Sequence, residues 1–133
     1  MDNIAAVVHK DAFAKLAGIE IVELAPGHAK VKMPITAQHL NGLGVVHGGA
    51  IFTLADLGFA AACNSHGFDA VAVNVSVSYL KAAKSGTLYA DAQEVSPQGK
   101  LGTCTVRVTD DAGELVALFQ ALSYRKGPPA AKP

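Results

Sequence analysis

The chain has 133 residues, half of them apolar, with 11 basic and 11 acidic side chains and a formal net charge of zero. This length favours a single domain, and the balanced charge argues against electrostatic binding of nucleic acid or of a membrane surface. The high apolar content, the 17% of charged residues and the lack of Trp predict that some surface is buried against copies of the same chain.

The N-terminal residues lack the basic and then apolar layout of a signal peptide, and no apolar run is long enough to span a bilayer. Cys63 and Cys104 do not make a disulfide framework, and both are expected to be small core residues. We therefore expect a cytoplasmic protein with one domain over residues 1–126 and a disordered tail over residues 127–133.

The first predicted elements are a short helix and a hairpin. The stretch NIAAVVHKDAFAKLAG is typical of one or two helical turns closed by Gly18. IEIVELAPG and HAKVKMPIT flank a turn signal at Pro26 and Gly27, and the second stretch alternates apolar residues with Lys30 and Lys32. The two stretches therefore predict an antiparallel pair of strands.

A long helix is predicted next, after a loop rich in Gly and polar residues. GGAIFTLADLGFAAACNSHG has the length and composition of a helix that begins at Gly48 and ends near Gly67. It is apolar nearly all round, which predicts burial on most of its faces.

Four strand-like stretches complete the chain, and they read AVAVNVSVSYL, GTLYADAQEVS, LGTCTVRVTD and LVALFQALSYRK. The first predicts a strand with one face formed by Val71, Val73, Val75, Val77 and Tyr79. Two strands, one buried helix and four antiparallel strands predict an α+β fold in which a curved antiparallel sheet wraps around the central helix.

The start of the long helix is a candidate site. Helix N-termini carry unpaired N–H groups and a positive dipole end, so the backbone at Gly48 and Gly49 could hold a carbonyl oxygen or an oxyanion. The alternative is that the paired glycines only permit a tight turn into the helix.

Asp56 is the only formally charged residue between Lys32 and Asp69. Its helical neighbours are mostly apolar or small, so burial should raise its pKa and make it a better proton acceptor near neutral pH. The alternative is a structural Asp that bonds Thr53 or a nearby backbone group. Eight residues of helix separate Gly48 from Asp56 by ~12 Å, too far for both to reach one substrate carbonyl. The sequence therefore predicts a site shared across a two-fold dimer interface.

The spacing of residues across this loop and helix resembles the signature of a known family. The residues that carry it are Asn41, His47, Gly48, Gly49, Leu54, Ala55, Asp56, Phe59, Ala60, Asn64, Ser65 and Gly67. The sequence resembles the hotdog-fold acyl-CoA thioesterases, and within them the phenylacetate-degradation (PaaI-like) subgroup, over roughly residues 13 to 126. This resemblance implies a sheet wrapped around a long helix, dimers that join sheets edge to edge, and tetramers built from two dimers.

The resemblance also implies roles in hydrolysing an acyl-CoA to a free acid and CoA. Asp56 would be the nucleophile or the general base, and the Gly48 N–H of the opposite subunit would polarise the thioester carbonyl. Asn41 would hold the attacking water or the carboxylate, and His47 would orient the loop or contact the thioester. CoA would enter only as part of the substrate, with no other cofactor; the sequence has no metal-ligand motif.

Further residues are expected to contact the substrate. The acyl pocket would involve Gly49, Phe52, Leu54, Phe59 and segment 68–74, which includes Ala72 and Asn74. Ala72 stands where some relatives have a hydroxyl, and LKAAKSG lacks the Arg-Pro pair common in relatives. Four basic side chains could contact the CoA phosphates, and these are Lys81, Lys84, Arg125 and Lys126. The alternative is that they are ordinary solvated surface groups.

Two other functions are left open by the sequence. One is a non-catalytic module that binds acyl-CoA. The other is a hotdog-fold dehydratase or hydratase, in which His47 would pair with an acid across the site. The acyl group itself cannot be chosen from the sequence among aryl-acetyl, benzoyl and short-to-medium aliphatic groups.

Overall fold

The computed structural model describes residues 10–67, 69–96 and 99–126. The predicted tail at 127–133 and the helical turns predicted before residue 10 lie outside the described residues. The elements are α1 (Ala12–Leu16), β1 (Glu20–Ala25), β2 (His28–Pro34), a 3-10 turn (Ala37–His39), α2 (Gly48–Cys63), β3 (Ala70–Tyr79), β4 (Thr87–Ser96), β5 (Leu101–Thr109) and β6 (Leu115–Arg125).

The six strands form one antiparallel sheet in the order β1-β2-β4-β5-β6-β3. Helix α2 lies across one face of this sheet and packs mainly against β4, β2 and β5. Close packing is possible because small residues meet at the crossing: Gly58 of the helix lies against Ala90 and Ala92 of β4. The predicted α+β architecture, a sheet wrapped around one helix, is confirmed. No helix in the described ranges is long and apolar enough to cross a membrane.

Helix α2 begins at Gly48 as predicted but ends at Cys63, four residues before Gly67. Asn64 ends it, because its side-chain NH2 donates to the Ala60 carbonyl at 2.8 Å while its side-chain oxygen accepts from the Ala70 N–H at 2.9 Å. This one side chain therefore closes the helix and fixes the start of β3.

The prediction of a single valine face on β3 is wrong. The pairing of β3 with β6 shifts register between Ala72 and Asn74, which leaves Val73 as the extra residue of a β-bulge. A bulge inverts the alternation of side chains, so Val71 lies on the opposite face from Val75 and Val77. Only the latter two pack against the core.

The N-terminal helix is fixed by two contacts that bring it beside α2. Asp11 caps α1 by accepting a hydrogen bond from the Ala14 N–H at 3.0 Å, and Ala14 is buried in the core. After Gly18, which has a positive φ of 77°, the chain enters the predicted hairpin of β1 and β2. The buried His39 donates from Nε2 to the Ala17 carbonyl at 2.6 Å and so holds the end of α1 against the loop before α2.

Candidate active site

The start of helix α2 exposes one unpaired amide. His47 is the N-cap, and its Nδ1 accepts a hydrogen bond from the Gly49 N–H at 2.8 Å. The N–H groups of Ala50 and Ile51 donate to the His47 carbonyl at 2.9 and 3.2 Å. Only the Gly48 N–H has no acceptor among the described residues. The sequence predicted a donor for a carbonyl oxygen at this helix end, and this amide is free to be that donor.

Both glycines at this helix start lie close to a neighbouring side chain, which a Cβ would push aside by a few tenths of an ångström. A Cβ on Gly49 would lie 3.0 Å from Nδ1 of His47 and would displace the capping ring. A Cβ on Gly48 would lie 3.2 Å from Cζ of Tyr79, whose hydroxyl donates to the Gly48 carbonyl at 3.1 Å. Tyr79 therefore fixes the peptide group that follows the free amide.

Asn41 organises the loop that leads to this helix. Its Oδ1 accepts from the N–H groups of Leu43 and Val45 at 2.9 and 3.3 Å, and its own N–H donates to the Val45 carbonyl at 2.8 Å. Its side-chain NH2 donates to no described residue. An amide whose oxygen is fixed in this way can present its NH2 group to a water or a carboxylate.

Asp56 lies half-buried on the exposed side of α2, and its carboxylate bonds no described residue. Burial raises its pKa above the ordinary value of 3.8, and repulsion from Asp11 on the neighbouring α1 raises it further. The structural alternative, a hydrogen bond to Thr53, is not present because the Thr53 hydroxyl donates to the Gly49 carbonyl at 2.8 Å. A carboxylate that is partly desolvated and unpaired is suited to accept a proton.

Two hollows flank the helix start. The first, which we call the α1 cavity, measures about 630 Å³ and is lined by residues that include Phe13, Leu16, Ala17, His39, Ala50 and Thr53. The second, the Tyr79 groove, measures about 400 Å³ and is lined by residues that include Val45, Gly48, Ile51, Tyr79 and Lys81. The helix start thus lies between a mostly apolar cavity and a groove that carries a basic residue.

Comparison with known proteins identifies the family. Residues 43–117 match the model of the thioesterase superfamily. The chain belongs to this superfamily. Escherichia coli acyl-coenzyme A thioesterase PaaI is 40% identical over 126 residues, which are 94% of this chain and 90% of that one. An Archaeoglobus fulgidus protein is 45% identical over 86% of this chain and 75% of its own length.

Solved structures agree with this assignment. The structure of Escherichia coli PaaI, from the phenylacetic acid degradation operon, has a TM-score of 0.92 at 39% identity and covers 98% of this chain and 95% of that chain. A hypothetical thioesterase of Streptococcus pneumoniae, solved with coenzyme A, has a TM-score of 0.87 at 28% identity and covers 95% of this chain and 98% of its own. The protein is thus a hotdog-fold member of the thioesterase superfamily, of the PaaI-like kind.

The fold places the expected acyl-pocket residues of this thioesterase in two environments, the surface and the core. Phe52 is 36% exposed on α2, where its ring contacts Phe119 edge-on at 5.4 Å between centroids. Leu54 and Phe59 are buried in the core of the chain, and Phe59 also packs against Phe119. The fold therefore brings Phe52, but not Leu54 or Phe59, to the surface beside Asp56.

The two expected contact residues on β3 lie on different faces. Ala72 pairs with the buried Ser123 and belongs to the helix side of the sheet, whereas Asn74, after the bulge, pairs with Leu122 and lies on the outer side. Both are exposed because β3 is an edge strand. The bulge separates them, so a single chain does not place both in one site.

The basic residues differ in their availability to a phosphate. Lys81 forms ion pairs with Asp110 at 2.7 Å and with Glu114, whereas Lys84 and Lys126 are exposed. The assignment of Arg125 to CoA phosphates is wrong: its side chain is 4% exposed and bonds Glu94 at 3.0 Å and the Gly99 carbonyl. Lys84 and Lys126 remain the candidates for phosphate contact.

Three residues near the site were missed by sequence reasoning. Asp11 carries a local signal, because an Asp directly before AFAKL is a typical N-cap. His39 and Tyr79 carry none, since each contacts a residue more than 20 positions away. Contacts of that kind depend on how the elements pack.

Proposed function

We propose that this protein hydrolyses acyl-CoA thioesters to the free acid and CoA. The observation that carries the proposal is that one helix presents both an unbonded amide at its start, at Gly48, and an unpaired carboxylate of raised pKa, Asp56. The relative from Escherichia coli is named an acyl-coenzyme A thioesterase, and the Streptococcus pneumoniae relative was solved with coenzyme A, which supports this class of substrate.

In the proposed reaction the thioester carbonyl oxygen accepts a hydrogen bond from the Gly48 N–H. This donor, at the positive end of the helix dipole, stabilises the negative charge that develops on the oxygen. Asp56 either attacks the carbonyl carbon, forming an anhydride that water then hydrolyses, or removes a proton from a water that attacks the same carbon. In both cases the C–S bond breaks and CoA leaves as a thiolate, which needs little proton donation. No resident cofactor is required.

The site is proposed to form between two subunits. Asp56 and Gly48 lie on one helix, eight residues apart, and the ~12 Å between them prevents both from reaching one carbonyl. β3 is a ten-residue edge strand with exposed Val71 and Val73, and no described strand pairs with its outer edge. An unpaired edge of this length favours pairing with a second copy. That arrangement would extend the sheet and bring two α2 helices side by side.

The position of His47 favours this proposal over a dehydratase or hydratase. Its Nδ1 is committed to the Gly49 N–H, so the ring serves as a helix cap. A His that pairs with an acid in proton transfer uses one ring nitrogen for the substrate and the other for the acid. With Nδ1 bonded to the Gly49 N–H, His47 has only Nε2 for both.

The first experiment measures CoA release with a thiol reagent for the wild type and Asp56→Asn. We expect Asp56→Asn to lose about 100-fold or more in kcat, the usual contribution of a base or nucleophile. Wild-type activity in a folded Asp56→Asn protein would contradict this mechanism. If the wild type binds acyl-CoA but releases no CoA, the protein is a binding module.

A second pair of variants isolates the Gly48 amide. Proline fits the first position of a helix and has no N–H, and the ψ of 136° at His47 is one that a residue before proline prefers. Alanine at the same position adds a similar Cβ beside Tyr79 but keeps the N–H. We expect Gly48→Pro to lose a further factor of about 100 in kcat relative to Gly48→Ala. Equal activities would rule out the amide as the donor.

A further inference from the structure

His39 is a buried histidine that the proposed chemistry does not use. It ends the 3-10 turn before α2, forms part of the wall of the α1 cavity and is 8% exposed. Its Nδ1 lies 2.9 Å from the Thr36 nitrogen, and its Nε2 lies 2.6 Å from the Ala17 carbonyl oxygen. A backbone N–H can only donate and a carbonyl can only accept, so the ring is neutral and carries its proton on Nε2.

His39 is connected to the start of α2 through its backbone. Its carbonyl accepts a hydrogen bond from the His47 N–H at 2.7 Å. His47 is the N-cap of α2, and the peptide group that joins it to Gly48 carries the amide proposed to bind the thioester carbonyl. A shift of His39 would therefore move the proposed donor itself.

The His39 ring connects the same segment to α1. Ala17 is the C-cap of α1, and the Nε2 bond holds it against the loop that leads to α2. The Asp11 at the other end of α1 carries the charge that acts on Asp56. One side chain thus joins the two segments that act on the two proposed reacting groups.

We propose that His39 is a positioning residue, which holds the Gly48 amide in place for the thioester carbonyl and does so only in its neutral form. This inference rests on the proposed thioester hydrolysis. A protonated imidazole donates from both nitrogens, so its Nδ1–H would point at the Thr36 N–H. Among the described residues, the other polar atom in reach of Nδ1 is the Thr36 hydroxyl at 3.3 Å, and a bond to it would still leave the Thr36 N–H facing a donor. The ring would have to turn, and its bond to Ala17 would be lost.

The surroundings of His39 offer little compensation for a positive charge. The charged or titratable groups on the neighbouring elements are Asp11 and Lys15 of α1, Glu20 of β1, His47 at the N-cap of α2 and Asp56 within it. Glu20 is the carboxylate that shares the α1 cavity with His39. It is exposed and lies 3.8 Å from the Lys32 ammonium, so its attraction for a charged His39 is weak.

The test follows kcat for CoA release against pH, with whichever of acetyl-CoA, benzoyl-CoA and phenylacetyl-CoA the wild type hydrolyses fastest. His39→Gln keeps a neutral donor for the Ala17 carbonyl but binds no proton, whereas His39→Leu removes every hydrogen bond of the ring. His28→Gln is the matched control. His28 also bonds a partner, Asp91 at 2.9 Å, but lies at the start of β2 and lines neither hollow beside the helix start.

We expect His39→Leu to lose about 10-fold or more in kcat, because small displacements of a positioned group have large effects on rate. His39→Gln should recover most of this loss at about pH 8. The ratio of the wild-type kcat to that of His39→Gln should fall as the pH is lowered from about 8 to about 5, the range in which histidines commonly titrate. Protonation of Asp56 lowers kcat in both proteins and cancels in this ratio. His28→Gln should follow the wild type at every pH.

A spectroscopic measurement tests the protonation state without substrate. In protein labelled with 15N at histidine, the His39 signals are identified by their loss in His39→Gln. At neutral pH they should be those of a neutral ring with its proton on Nε2.

Circular dichroism at each pH establishes that each variant is folded. The inference is overturned if a folded His39→Leu keeps the wild-type kcat or is as active as His39→Gln, if the ratio of wild type to His39→Gln is the same at every pH, or if the neutral ring carries its proton on Nδ1. Should His39→Leu fail to fold, the pH dependence of that ratio and the 15N signals decide. The proposed function fails, and the inference with it, if the wild type releases CoA from none of the three substrates.

Discussion

The chemical role proposed for Asp56 comes with a cost to the stability of the fold. Its carboxyl is half-buried and lies near Asp11, and both effects raise its pKa above 3.8, burial more than repulsion. A carboxyl whose pKa is higher in the folded chain than in the unfolded chain binds its proton more tightly when folded. Its ionisation therefore destabilises the fold. This destabilisation begins as the pH rises above 3.8 and is complete above the raised pKa of the folded state.

The variant Asp56→Asn should therefore be more stable than the wild type near neutral pH. Asparagine has a similar shape and stays neutral, so it avoids the burial of charge and the repulsion from Asp11. We expect a higher Tm for Asp56→Asn near pH 7 and a smaller difference below pH 3.8, where the wild-type carboxyl is also protonated. Thermal unfolding followed by circular dichroism measures both. The exposed Asp69→Asn is the control for the substitution itself and should change the Tm near pH 7 less than Asp56→Asn does.

At the scale of elements, a buried ionic cluster holds the far end of α2. Glu94 of β4 bonds Arg125 of β6 at 3.0 Å and His66 of the loop after α2 at 2.5 Å, and both Glu94 and Arg125 are buried. The Ser65 hydroxyl accepts from the Gly27 N–H at 2.7 Å, which adds the β1–β2 turn to the same cluster. The cluster thus joins four elements at the end of α2 opposite to Gly48.

Replacing Arg125 should destabilise the fold strongly. Arg125→Leu removes the cation beside a buried carboxylate, and breaking a buried ion pair in this way costs about 3–5 kcal/mol. Lys81→Leu is the matched control, since the Lys81 pairs with Asp110 and Glu114 are exposed, and it should change stability far less. Urea unfolding gives both free energies. A loss in Arg125→Leu no larger than in Lys81→Leu would mean that Glu94 does not depend on its arginine.

The elements themselves were largely predictable because their signals are local. Alternation of side chains, the Pro26-Gly27 turn and the apolar length of α2 predicted the strands and the helix. The charge of Asp56 in an apolar helix made it a candidate site residue, and that role stays a prediction. The bulge at Val73 was not predictable, because it depends on the register with β6. Arg125 was taken for a surface cation because its partner Glu94 is 31 residues away in sequence, and no local pattern predicts their contact.

At the scale of the whole molecule, a site shared between two chains, as proposed, would make the active unit a dimer. Each chain would give Asp56 to one site and Gly48 to the other, so the two sites of a dimer are equivalent. The exposed edge of β3 is the surface proposed to join them. If two chains share each site, the Asp56 carboxylate can be removed from one chain and the Gly48 N–H from its partner. The intact residues that remain would still form one complete site.

Mixing two inactive variants tests this directly. Asp56→Asn and Gly48→Pro are unfolded together in equal amounts and refolded, so that half of the dimers are mixed. In a mixed dimer one site holds both variant residues, and the other holds the intact Asp56 of one chain with the intact Gly48 of its partner. One active site in two, in half of the dimers, predicts about 25% of wild-type CoA release. Each variant refolded alone is the control, and a mixture no more active than these controls would place the whole site within one chain.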